Sequence, residues 1–242
     1  MTDQEINEAV IRRFLSAQTL PGRLSLNSRV RFKRLAWRAV VASSFFIKRL
    51  VDIAGSVILI IAFSPVFTAI AIAIRLEDGG PIFFHQVRVG RLGRHFRMHK
   101  FRSMCIDADQ KKDALLEKNQ HQDGITFKIK NDPRVTRIGK WIRKTSMDEL
   151  PQFFNVLKGE MSLVGPRPPV PREVALYTLE DRRRLAVTPG ITCLWQVGGR
   201  SEIDFKGQVR LDVQYIENQS FWGDVKILFK TIPAVLGSKG AY

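Results

Sequence analysis

A chain of 242 residues with 45% apolar side chains has room for one ordinary catalytic domain plus a membrane segment or tail, and disorder is not its default. Charge is the outlier: 39 Lys and Arg oppose 23 Asp and Glu, a net +16. Such a balance favours phospholipid headgroups, nucleic acid or phosphorylated substrates without choosing among them. Cys105 and Cys193 are too few for a disulfide framework, show no paired metal-ligand spacing, and read as buried thiols. His85, His95, His99 and His121 lack the zinc-protease pattern and read as solvated or substrate-facing.

Residues 1 to about 45 read as a polar, basic arm. Met1–Val10 carries Asp3, Glu5 and Glu8 with no apolar run, unlike a signal peptide. Arg29–Val41 interleaves Arg29, Arg31, Lys33, Arg34 and Arg38 with Val30, Phe32, Leu35, Trp37 and Val40. That pattern fits a basic amphipathic helix on an anionic membrane, and equally a solvated linker.

Ile53–Ile74 is 22 uncharged residues, long enough to cross a bilayer. Its flanks argue against a simple crossing. Arg29–Arg49 holds seven Lys and Arg and Arg75–Arg97 holds five, so both ends carry the charge expected of the cytoplasmic side. Ser64-Pro65 sits between them. Proline removes the hydrogen bond to the Ile61 carbonyl and bends the helix, and the Ser64 hydroxyl can bond back to an earlier carbonyl. At ~1.5 Å per residue, Ile53–Phe63 and Val66–Ile74 are roughly 16 and 14 Å long, each about half of a hydrocarbon core ~30 Å thick. The expectation is a helix that enters, turns at Ser64-Pro65 and leaves by the same face; a spanning helix with a proline kink is the alternative.

Glu77-Asp78-Gly79-Gly80-Pro81 is a turn cluster. Pro81–Val89 alternates loosely and predicts a hairpin turning near Gly90 or Gly93. Helices are expected over Ala108–Asn119, Ser146–Leu157 and Pro171–Val187, and a strand over Ile125–Ile129. Phe221, Val225, Leu228, Phe229, Ile232, Val235 and Leu236 repeat at helical spacing. They predict a C-terminal amphipathic segment that packs on the domain or rests on the membrane, with Pro233 making one uninterrupted helix doubtful.

The string Arg143-Lys144-Thr145-Ser146-Met147-Asp148-Glu149 holds most of the chemistry. Ser146 with Glu149 has capping-box spacing, and Asp148 suits a first turn, so both acids have a purely structural reading. The same position suits phosphoryl chemistry, because free N–H groups at a helix start attract phosphate. A carboxylate there can attack phosphorus once a metal ion and arginines neutralise the phosphate charge. Arg167 is held between prolines in Gly165-Pro166-Arg167-Pro168-Pro169; Lys100 and Arg102 lie in an extended segment; Arg200 follows Gly198-Gly199. Each one alone reads more readily as a solvated surface charge.

Taken together, the strings resemble one family. Lys128–Thr136, Lys144–Gln152, Asn155–Pro168, Thr188–Thr192, Trp195-Gln196-Val197 with Gly199-Arg200, and the earlier Lys48-Arg49 and Ser64-Pro65 are similar to the bacterial monotopic phosphoglycosyl transferases. The resemblance covers about residues 46–242 and departs at Cys193, where many relatives show glycine. It implies an α-rich α+β fold: a single catalytic domain with a re-entrant, non-spanning membrane helix hairpin and interfacial amphipathic helices. The expected divisions are 1–45 for the arm, 46–78 for the membrane helix, 79–220 for the catalytic domain and 221–242 for the C-terminal segment. It further implies that Asp148 attacks the β-phosphorus of a UDP-sugar and expels UMP, and that undecaprenyl phosphate then takes the sugar phosphate. Glu149, with Asp148, would hold Mg²⁺. Arg143, Arg167 and Arg200 would contact phosphates, with Lys100 and Arg102 as further nucleotide contacts. Lys48, Arg49, Ser64 and Pro65 would belong to the membrane helix. The implied location is the cytoplasmic face of a bacterial inner membrane, with anionic lipids as partners, no nucleic acid, and a homo-oligomer left open. The ending through Lys239–Tyr242 resembles members that transfer glucose or galactose 1-phosphate, starting exopolysaccharide or O-antigen synthesis in a compact chain. The rival from composition is a non-enzymatic basic protein on anionic membranes or nucleic acid, which gives Asp148-Glu149 no role.

Overall fold

The apolar run between Arg49 and Arg75 folds as two helices. In the computed structural model, which describes residues 3–108, 110, 132–199 and 203–237, helix α2 (Leu20–Ala62) ends at Phe63 and α3 (Ser64–Asp78) begins at once. The two are bent by 61°, and neither alone is long and apolar enough to cross a membrane. Pro65 occupies the first turn of α3, where a missing N–H costs nothing. Ser64 Oγ donates to the Ile61 carbonyl at 2.8 Å, the back-bond expected from the sequence.

Clustering of the chain separates Met1–Lys48 from Arg49–Tyr242. The first unit is helical: α1 (Asp3–Gln18) and the start of α2. Its Arg12–Glu8 pair is one turn apart and largely solvated, so it adds little.

In the second unit the apolar helices are inside out. On α2 it is Asp52 and Ser56 that are buried, while Ile53, Val57, Ile58 and Ile61 are exposed. A water-facing helix places its polar stripe outward. On α3, Ile70 and Ile74 pack with Phe101 and Ile142, and Ile72 on the other side is 55% exposed.

The chain then forms an antiparallel hairpin of β1 (Phe83–Val89) and β2 (His95–Phe101), in register from Val89↔His95 to Phe83↔Phe101. Its turn runs through Arg91–Gly93, as predicted, and Gly93 takes φ +81°, which glycine reaches without strain. Helices α4 (Arg137–Lys144) and α5 (Gln152–Lys158) follow, then β3 (Ser162–Val164), α6 (Pro171–Ala175), β4 (Gly190–Thr192), α7 (Leu194–Gly198), α8 (Phe205–Glu217) and α9 (Phe221–Leu236). Strands β3 and β4 are parallel. Phe96, Met98, Val156, Met161, Leu163, Val164, Tyr215 and Ile227 form the main core. The architecture is helix-rich α+β.

Three expectations are corrected. The helix predicted over Pro171–Val187 stops at Ala175 and resumes as a tight turn over Asp181–Ala186. Thr178 supplies the reason: its N–H and hydroxyl both bond Asp181 Oδ2 and start a new local structure. The helix predicted from Ser146 begins instead at Gln152. The C-terminal helix runs unbroken through Pro233, and its packed face differs from the predicted stripe. Ile227 is buried with Leu228 against the core, and Thr231 Oγ1 meets Thr192 Oγ1 at 2.8 Å, whereas Phe221, Phe229 and Ile232 are exposed. Pro233 sits on an exposed face. Cys193 is buried and Cys105 half-buried. The strand Ile125–Ile129 and nearly all of the helix Ala108–Asn119 lie outside the described residues, as does His121.

Candidate active site

The two acids stand on a single tight turn. Thr136 caps α4 by accepting from Gly139 N, and fully buried Ile142 anchors that helix, so the chain leaves α4 in a fixed direction. Ser146 then takes φ +56°, in the left-handed region, and makes no side-chain cap. Met147–Glu149 form one 3₁₀ turn, after which Pro151 leads into α5 at Gln152. The capping-box reading of Ser146 and Glu149 is therefore corrected: with Ser146 left-handed, its hydroxyl does not serve the following N–H groups. Glu149 is left free to face other partners.

Those partners come from two other segments. Lys100, on β2, places Nζ 2.7 Å from Glu149 Oε1 and 3.6 Å from Asp148 Oδ2. Arg167 places Nη1 3.6 Å from Glu149 Oε1. The Arg167 loop is pinned by its own backbone. Gly165 N donates to Thr192 O, Pro166 O accepts from Gly190 N, and Pro169 O accepts from Val89 N, all within 3.0 Å. Proline has no N–H to give, so its carbonyls carry this attachment.

Arg88 was missed by the sequence reading. Its Nη1 donates to Pro168 O at 2.8 Å, and its Nε and Nη2 donate to Gln86 Oε1. With Met98, Glu149, Gln152, Arg167, Pro168, Gly190 and Ile191 it lines a shallow recess. The available signal was the strand's period of two, which puts Gln86 and Arg88 on the same, inward face.

Electrostatics separates the two carboxyls. Burial pushes the Asp148 pKa up; Lys100 opposes this and Glu149 reinforces it, with Arg143 and Arg167 also pulling down. For Glu149 burial again acts upward, but Lys100 and Arg167 outweigh it and hold the group at about 2. Burial lowers Arg88 to about 10, helped by Arg167, so it stays a cation at neutral pH. Lys100 and Arg167 thus act on both acids, Arg143 on Asp148 and Arg88 on Glu149, while Glu173 also acts on Arg88. Converging cations of this kind are what a phosphate-binding site requires.

Not every expected residue joins them. Arg102 is buried against Asp78 at the end of α3 and donates to Pro81 O at 2.7 Å, a structural ion pair away from the carboxyls. The strand ends at Phe101, so the period of two does not carry on to Arg102, which pairs with Asp78 while Lys100 pairs with Glu149. Arg49, grouped with Lys48 as a flanking membrane charge, donates to the carbonyls of Val156 and Leu157 instead. Arg200 lies outside the described residues, with Lys128–Asn131. His99 Nδ1 lies 2.8 Å from His85 Nδ1 on the hairpin, but among the described residues no three metal-ligating side chains converge.

A family model for bacterial sugar transferases matches residues 43–238. The chain belongs to the bacterial sugar transferase family. Among curated members it is 52% identical over 200 residues to a galactosyl transferase, CpsE, of Streptococcus agalactiae, covering 82% of this chain and 44% of that protein. It is 45% identical over 203 residues to an undecaprenyl-phosphate galactose phosphotransferase of Salmonella typhimurium, covering 83% of this chain and 42% of that one. It is 40% identical over 198 residues to the exopolysaccharide production protein ExoY of Rhizobium meliloti, covering 81% of this chain and 88% of that protein. The chain spans less than half of the longer sugar transferases and most of the shorter one.

Proposed function

We propose that this sugar transferase moves a hexose 1-phosphate from a UDP-sugar to undecaprenyl phosphate, the first step of an exopolysaccharide or O-antigen chain. Members with high identity are named for undecaprenyl-phosphate sugar transfer and exopolysaccharide production. The observation that carries the reading is the cluster itself: two adjacent carboxyls in one turn, unequal in acidity, with Lys100 and Arg167 drawn in from other segments.

In this reading Asp148 is the nucleophile. Its carboxylate oxygen bonds to the β-phosphorus, the bond to the oxygen bridging the two phosphates breaks, and UMP leaves with that electron pair. The acceptor phosphate oxygen then attacks the same phosphorus, and the Asp148–phosphorus bond breaks. Arg167, Arg88 and Arg143 spread the phosphate charge, Arg200 would join them, and Lys100 balances the carboxyls between steps. Glu149 stays ionised throughout. Asp148 and Glu149 suit Mg²⁺, which characteristically uses one or two carboxylates and completes its shell with water and substrate phosphate. Bound there, it would neutralise the diphosphate.

The bent helix pair supports a re-entrant anchor. Its outward apolar face suits lipid, its basic flanks favour the cytoplasmic face of the inner membrane, and exposed Phe221, Trp222, Phe229 and Ile232 on α9 suit the interface. Residues 46–78 and 221–242 would then be the membrane-associated parts of the chain, and 79–220 the catalytic domain. The test is UMP release by the purified protein with Mg²⁺, undecaprenyl phosphate and a panel of UDP-sugars, chosen from the galactose, glucose and N-acetylgalactosamine named in the relatives. No UMP from any of them overturns the reading.

A further inference from the structure

Arg49 and Asp52 point the wrong way for lipid contacts. They lie three apart on α2 and face the protein with fully buried Ser56. The Arg49 guanidinium spans the end of α5, with Nη1 2.6 Å from Val156 O and Nη2 2.8 Å from Leu157 O. Val156 O also accepts from Gly159 N at 2.9 Å, so Arg49 adds a second donor to it and serves Leu157 O at the helix C-terminus, where a cation also meets the negative end of the dipole. Asp52, 5% exposed, accepts from Ser162 Oγ at 3.0 Å and from Leu163 N at 2.9 Å, at the start of β3. Between these residues and Ser56, a Cβ on Gly55 would come within 2.8 Å of Leu163 Cδ1, so the helix lies tight against the strand.

Both attachments end on elements that lead to the active site. Helix α5 starts just after the Met147–Glu149 turn, and β3 runs directly into the Arg167 loop. At seven residues, α5 is a stiff rod of about 10 Å.

We propose that Arg49 and Asp52 are positioning residues for the acceptor step, clamping the membrane-inserted helix to α5 and β3 so that Asp148 stands at a fixed height above the lipid. The inference rests on the two-step transfer proposed above. Lys100, Glu149 and Arg167 are assembled by the hairpin, the tight turn and the Gly165–Pro169 loop, none of which includes α2. Loosening the clamp therefore leaves that cluster in place while its height drifts. A water-soluble donor reaches the site at any height. An acceptor phosphate fixed in a bilayer does not, and a misplacement of about 1 Å can cost ~10²-fold in rate.

The test uses the full chain in lipid vesicles, with Arg49→Ala, Arg49→Lys, Asp52→Ala and Ser162→Ala. Three quantities are read: the UMP burst from the best UDP-hexose without acceptor, turnover with bilayer undecaprenyl phosphate, and turnover with a short, water-soluble prenyl phosphate. For Arg49→Ala and Asp52→Ala, the burst and the soluble-acceptor rate should stay within about twofold of the parent, while bilayer turnover falls roughly 10- to 100-fold. Arg49→Lys should recover part of that loss, and Ser162→Ala, which alters the clamp from outside the membrane helix, should show a smaller version of it. Unchanged bilayer turnover, or an equal fall in all three rates, overturns the proposal. If an alanine variant melts below the assay temperature, Arg49→Lys and Ser162→Ala decide by the same split. A parent protein that releases no UMP overturns the proposed function instead, a separate outcome.

Discussion

Two buried acid–base clusters in this molecule look alike in composition and differ in arrangement. In one, Arg184 pairs with Asp212, at 5% and 1% side-chain exposure, donates to Tyr177 Oη at 3.1 Å, and lies over the rings of Tyr177 and Phe205. One acid meets one base under aromatic rings, and Arg184 Nε is buried there without a hydrogen-bond partner among the described residues. In the other, Asp148 and Glu149 stand with Lys100, Arg88, Arg143 and Arg167 beside a shallow recess. The first joins one acid to one base within the core; the second gathers cations from separate segments of the chain around two adjacent carboxyls. Convergence of several cations on adjacent carboxyls of unequal acidity, and not burial of charge alone, separates a site from a strut.

Substitutions can break this contrast. Asp148→Asn should lower turnover by on the order of 10³-fold or more while melting temperature and vesicle binding hold, because it removes the attacking oxygen and little else; UMP release measures it. Asp212→Ala should do the reverse. It leaves Arg184 buried without its counter-charge and should cost about 3–5 kcal/mol of stability, read by thermal or denaturant unfolding. Arg167→Ala should lose about 1.5–3 kcal/mol of transition-state binding, roughly 10- to 100-fold in kcat/KM, from one charged phosphate contact. Tyr177→Phe should cost only about 0.5–1.5 kcal/mol of stability, with kcat/KM unchanged.

The acids also differ in pH response. The UMP burst should fall on the acid side as Asp148 takes up a proton, since the protonated acid cannot attack. Because burial raises that pKa, the acid limb should lie above the ordinary aspartate value of about 3.9. Glu149, held at about 2, should add no second limb above pH 4. In Asp148→Asn the limb should vanish with the burst.

Much of the fold was legible because it is local. Ser64-Pro65 fixes its own bend, and Gly90–Gly93 mark the hairpin turn. What failed depended on partners far away in sequence. Asp52 reads as a flanking charge until Ser162 and Leu163, more than a hundred residues on, turn it inward. Arg102 resembles a nucleotide contact until Asp78 claims it. The spacing of Ser146 and Glu149 is right for a cap, yet a single left-handed residue cancels it. The C-terminal helix is apolar on more than one face, so periodicity found the helix and not the side that packs. The Asp148-Glu149 pair, with Lys100 and Arg167, was found by residue type and order; Arg88 required knowing which strand face is buried.

The close approach of Gly190 in β4 to Gly165, just after β3, has a consequence for variation. A Cβ on Gly190 would lie 2.0 Å from Gly165 N, and one on Gly165 would lie 2.6 Å from Thr188 O. Neither obstruction is a flexible side chain, so nothing can swing aside. In a saturation library these two positions should tolerate no replacement, although neither bears a functional group. Such silent gaps would trace the outline of a backbone seam as sharply as the carboxyls trace the chemistry.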